Sequence, residues 1–159
     1  MSYKISAENT TLYINHHLYY LFEEKSNKIN LTITNDGDEY LEDSSIEVLL
    51  NKNEKYFIAP SVYRKPDNRN WINKINYTPI VPLGGGLHYP KATESEKEYT
   101  IFEHIGDVKH KIPVDVFQVP IRFLAGQNCI NEEIILKIKV FGKNLPKPIE
   151  DELKIIVNE

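Results

Sequence analysis

Apolar and polar side chains alternate along four separate stretches of this chain, and that period of two constrains the fold more than any other feature. Ile29, Leu31 and Ile33 alternate with Asn30, Thr32 and Thr34; the pattern returns at Ile46, Val48 and Leu50, at Ile134, Leu136, Ile138 and Val140, and at Leu153, Ile155 and Val157. Successive side chains of a strand point to opposite faces, so each stretch reads as a strand with one face buried. The first is expected to close at Asn35-Asp36-Gly37-Asp38, with the Asp-Gly step supplying the positive φ of a tight turn. Further strands are expected over 12–22, 55–59, 99–105 and 114–124, the last interrupted at Pro120, which cannot donate to a ladder. Ser44-Ser45-Ile46-Glu47 has the form of a helix capping box, so a short helix over 45–51 is the competing local reading.

Composition agrees with strand. There are ten Tyr and six Phe against four Ala and one Met, which favours pleated over helical backbone. A chain of 159 residues is the usual size of one domain with one core. Many short strands with turn signals between them, and no long amphipathic helix, point to an all-β fold in which antiparallel sheets pack as a β-sandwich of about eight strands. One domain over 1–159 is expected, interrupted by an irregular insertion at about 61–98. That stretch holds Pro66, Pro79, Pro82, Pro90 and the run Gly84-Gly85-Gly86, and shows little alternation. Connections this long inside a domain are usually functional or elaborative.

Charge excludes several classes of partner. Nineteen Lys and Arg against 23 Asp and Glu leave a formal charge of −4 at pH 7, so no global field holds nucleic acid or an anionic bilayer. No stretch approaches the ~20 apolar residues of a membrane span. Cys129, the sole cysteine, excludes an intrachain disulfide and a cysteine-based zinc cage. The amino terminus lacks the basic and apolar regions of a signal peptide, and a cytoplasmic location is expected. Glycosylation sequons at Asn9, Asn30 and Asn76 are about as many as chance supplies.

Candidate chemistry is sparse. His104, Asp107 and His110 surround Gly106 and are remote candidates for a metal site, but on one strand the two histidines share a face that Asp107 does not. A hairpin turn at Gly106-Asp107 is the plainer expectation. His16 and His17 are adjacent and on a strand would face opposite sides. Asp36, Asp38, Glu42 and Asp43 cluster without the ligand spacing of a calcium loop. Cys129 is expected near a hairpin tip, with no activating neighbour in sequence. The glycine run is followed by Leu87, His88, Tyr89 and Pro90 rather than by the Lys and Ser or Thr of a phosphate loop. No catalytic motif is found, no cofactor is implied, and a non-enzyme is expected.

The most informative surface candidate is the stretch carrying Arg64, Lys65, Arg69, Trp71, Lys74 and Tyr77, with Tyr89 beyond it. Four cations interleaved with aromatic rings suit an anchor for a protein partner. Alternatively, Trp71, Tyr77 and Tyr89 form an aromatic platform for a sugar or other small ligand.

The segment Ile138 to Phe141, Gly142-Lys143-Asn144-Leu145-Pro146-Lys147-Pro148 and the strand containing Leu153-Lys154-Ile155 resemble the end of the immunoglobulin-like module found at the carboxyl side of bacterial proteins with an AlbA-type DNA-binding or ATP-binding domain. In that family an Asn-Leu-Pro-x-Pro connection and a Leu-x-Ile strand close the sandwich. Asp151 stands where the family has glycine. The resemblance implies an immunoglobulin-like fold and an accessory or interaction role, and it carries over no catalytic residue. The expectation is a non-catalytic module that docks a protein through a sheet face, an edge strand or the 61–98 insertion.

Overall fold

The computed structural model describes residues 14–65 and 88–158. The fold is mostly β, and every strand pairing is antiparallel. A helix, α1, occupies 14–25 and widens to π geometry over Tyr20–Lys25. Ten strands follow among the described residues: β1 (Asn27–Ile29), β2 (Thr32–Ile33), β3 (Leu41–Asn51), β4 (Tyr56–Ile58), β5 (Ala92–Glu94), β6 (Glu98–Val108), β7 (Val114–Asp115), β8 (Ile121–Ala125), β9 (Glu133–Phe141) and β10 (Ile149–Ile156).

The large sheet has the order β10-β9-β3-β6-β5, a second sheet runs β1-β8-β4, and β2 pairs with β7. Alternation decides which face of each strand is inside. In β3, Ile46, Val48 and Leu50 are buried while Glu47 and Leu49 are half-buried, and in β9 Ile134, Leu136 and Ile138 are buried between exposed neighbours. These side chains meet Tyr56, Ile58, Ile121 and Phe123 from the second sheet in one core, with Val116 and Phe117 beside them. Burial of this apolar area, at about 25 cal/mol per Å2, is the main force holding the two sheets together.

Several expectations are corrected. The first alternating stretch is not one strand: β1 pairs with β8 and β2 with β7, and the chain breaks at Asn30. The Asn30 amide replaces the ladder there, accepting from the N–H groups of Leu31 and Phe117 and donating to the Phe117 carbonyl. With both amide atoms so engaged, this asparagine is poorly placed to accept a glycan. Gly37 does not adopt positive φ; Asn35 shapes that turn instead, its side chain accepting from the Gly37 N–H and donating to the Glu39 carbonyl. The 45–51 helix is absent because the segment is the centre of β3, and the Ser44 hydroxyl donates across the sheet to the Gly106 carbonyl. Gly106-Asp107 is not a hairpin turn. It lies inside β6 opposite a bulge in β3, with φ +83° at Gly106 and +46° at Asp43, the kind of position where an extra residue is absorbed.

The largest misreading is 12–22, expected as strand; its described part, from residue 14, is helical. Tyr, Leu and Phe raised its β propensity, but Leu18 and Phe22 lie four residues apart and pack with Ala59, Tyr63 and Leu124 against the outer side of the second sheet. A buried ion pair fastens the helix. Arg122 Nη2 and Nε donate to Glu23 at 3.1 and 3.2 Å, both side chains being 9% exposed, while Arg122 Nη1 donates to the Pro120 carbonyl and Glu23 accepts from the Tyr63 N–H.

Removing one member strands a buried charge. Glu23→Ala is expected to destabilise the protein by about 3–5 kcal/mol, whereas the double variant Glu23→Leu/Arg122→Met recovers most of that loss. Denaturant titration of the three proteins checks this.

Candidate docking cleft

The large sheet is wider than the layer facing it. Register places Ile149, Asp151, Leu153 and Ile155 opposite Val140, Ile138, Leu136 and Ile134, on the face that forms the core. Ile155 packs against that core. Ile149 and Leu153 nevertheless remain 54% and 41% exposed, because among the described residues no strand of the opposite layer covers them.

A cleft of about 890 Å3 opens at this edge. Ile46, Ile138 and Val140 of the large sheet form one wall, and Leu31, Ile33 and Val116 form the other. Tyr40, Leu145, Ile149 and Leu153 surround the mouth, with Tyr40 56% exposed. Asp36, Asp38, Glu39 and Asp151 also line it, and among the described residues no Lys, Arg or His does. None of these four carboxylates joins an ion pair among the described residues.

The connection from β9 to β10 shapes one end. Asn144 donates to the Tyr40 carbonyl at 2.7 Å and accepts from the Glu42 N–H at 3.0 Å, while the Lys143 N–H donates to the Glu42 carbonyl. Pro146 and Pro148 follow, stiffening the return to β10. Asp151 sits within β10 rather than at a turn.

The residues singled out by sequence do not converge on this cleft. Arg64 and Lys65 are exposed; Arg69, Trp71, Lys74, Tyr77 and the glycine run lie outside the described residues. Tyr89 is half-buried, with a structural task. Its hydroxyl donates to the Ala59 carbonyl at 2.9 Å and accepts from the Arg122 N–H at 3.1 Å, bridging β4 and β8 where they part. The Arg122 guanidinium lies over its ring. His16 and His17 lie on α1, not on a strand.

His104, Asp107 and His110 are not gathered. His104 Nδ1 lies 3.4 Å from the Ser45 hydroxyl, Asp107 accepts from the Asp43 N–H, and His110 Nδ1 faces the Gly37 carbonyl. Among the described residues no group of three His, Cys, Asp or Glu side chains is placed to hold a metal ion. Cys129, expected near an exposed tip, is fully buried in the main core and its thiol donates to the Lys55 carbonyl. No helix among the described residues is long and apolar enough to cross a membrane.

Sequence reasoning missed Ile149, Leu153 and the cleft they border. The available signal was the pairing of the Leu153-Ile155-Val157 alternation with the acidic run Glu150-Asp151-Glu152. Alternation says which side chains share a face and nothing about what lies across from them. No family model, curated protein or solved structure matches the chain.

Burial pushes the phenols of Tyr56, Tyr63, Tyr89 and Tyr99 above their ordinary range; for Tyr89 the Arg122 N–H and guanidinium partly offset it. A raised phenol binds its proton more tightly in the folded state than in the unfolded one, so its contribution is complete below the unfolded value and is lost as pH rises through the folded one. Stability is therefore expected to turn downward above about pH 10, with tyrosinate absorbance appearing together with unfolding. Tyr89→Phe orphans an N–H and a carbonyl and should cost about 1–3 kcal/mol, measured by denaturant titration at neutral pH.

Proposed function

We propose that this chain is a non-catalytic, immunoglobulin-like docking module whose partner is another protein and whose contact surface is the β10 edge with its cleft. One observation carries the reading: inward-facing Ile149 and Leu153 stand exposed above an apolar cleft, although both belong to the face that elsewhere forms the core. Exposed apolar area of this kind, rimmed by polar groups, marks interaction sites. Edge strands also carry an unpaired row of backbone donors and acceptors. Asn144 and Leu145, within the segment that carries the resemblance to an accessory module, form part of the same border.

The expectation of a sheet face, an edge strand or the 61–98 insertion thus narrows to the edge. The competing aromatic platform finds less support, because Tyr89, its one ring among the described residues, is committed to bridging two strands.

Leu153→Lys tests the proposal. Leu153 is 41% exposed, so the substitution should leave the unfolding free energy within about 0.5 kcal/mol of the parent. Immobilised wild-type protein is expected to retain a near-stoichiometric protein from lysate of the source organism, and the folded variant to lose it at least about tenfold. Equal retention by both would place docking elsewhere.

A further inference from the structure

Building on the docking reading, we infer that the β10 edge takes an extended, cationic and amphipathic segment of the partner as an additional strand, with apolar side chains over the cleft and Lys or Arg side chains against its carboxylates. Three observations converge on this occupant.

The first is a backbone edge with no strand beside it among the described residues, its Glu152 N–H held locally by the Asp151 carboxylate at 2.8 Å. β10 ends the order of the large sheet and is eight residues long, roughly 26 Å of strand. A strand added about 4.8 Å beyond it would place its inward side chains beside Ile149 and Leu153, closing the open side of the sandwich. Such addition takes its affinity from main-chain hydrogen bonds and its specificity from alternate side chains.

The second is charge. Among the described residues the cleft is lined by Asp36, Asp38, Glu39 and Asp151 and by no cation. On the outward face of β10, Glu150 pairs with Lys139 of β9 at 3.4 Å, Glu152 stands opposite Lys137, and Lys154 pairs with Glu133. An incoming strand therefore meets its uncompensated carboxylates on the inward face, and opposite charges directly across a ladder stabilise pairing while like charges oppose it.

The third is the position of Asp151. A charged side chain pointing inward from an edge strand is a device that keeps sheets from joining indiscriminately. Here it disfavours a purely apolar strand, and it disfavours a second copy of β10, which would bring a second inward Asp151 to the same edge. A strand carrying Lys or Arg at that position satisfies the charge. Attraction across the mouth also speeds encounter and makes binding salt-dependent.

The test uses a labelled, end-blocked octapeptide, Val-Lys-Val-Lys-Lys-Lys-Val-Lys, whose one face carries three valines with a lysine placed to meet Asp151 in an antiparallel pairing, followed by fluorescence anisotropy with the full chain. The peptide is expected to bind, its counterpart with glutamate for lysine to fail, and raised salt to weaken the complex. The double variant Asp38→Asn/Asp151→Asn should weaken it about tenfold, while Glu94→Gln/Glu96→Gln near the opposite edge leaves it unchanged. Methylating alternate peptide nitrogens along one edge should weaken it about tenfold or more. Indifference to methylation overturns strand addition, and equal loss from both pairs of carboxylate variants overturns the assigned location. Sedimentation that shows a dimer abolished by Leu153→Lys gives the edge to a second copy and overturns the inference. If the peptide fails while Leu153→Lys still loses a protein partner, the inference falls and the docking reading stands; if both fail, both fall.

Discussion

The mismatch in width between the two layers governs this molecule. The hydrophobic effect requires the inner face of the large sheet to be covered, and across β3, β6 and the first part of β9 the facing strands and the 116–117 segment meet that requirement. Beyond β9 they meet it only at the end of β10, where Ile155 packs on the core. Among the described residues β10 pairs on one side only, and its inward Ile149 and Leu153 face an opening. Core, cleft and edge follow from that single geometric fact.

Polar side chains hold the layers where backbone ladders stop. Asn30 takes over from β1 and β2, Asn144 ties the β9–β10 connection to the start of β3, and the Tyr89 hydroxyl continues the bridge between β4 and β8. Each satisfies backbone groups that would otherwise be left without partners near the core, where an unmade hydrogen bond is costly. The Glu23–Arg122 pair performs the related task for α1 and brings the helix onto the outer side of the second sheet. These contacts join residues 30 to 104 positions apart, so no local reading of the chain contains them.

In the proposed docking role, apolar walls, carboxylates that join no ion pair among the described residues and the edge of β10 would select a segment by shape, alternation and charge. The histidines that suggested a metal are each occupied with a different neighbour, and the thiol is sealed in the core.

Alternation in the sequence determined which side chains of β3 and β9 face inward, because a strand's period is fixed by covalent geometry whatever surrounds it. Strands were also expected over 55–59 and 99–105, where β4 and β6 lie. Where local preference competed with packing, it lost: the Tyr- and Leu-rich stretch before Glu23 is helical because its apolar side and its carboxylate both find partners on β8. The sequence also placed Leu153 and Ile155 on one face. Only the tertiary structure decided that Ile155 meets the core while Leu153 borders an open cleft, since burial depends on what the rest of the chain brings to the other side.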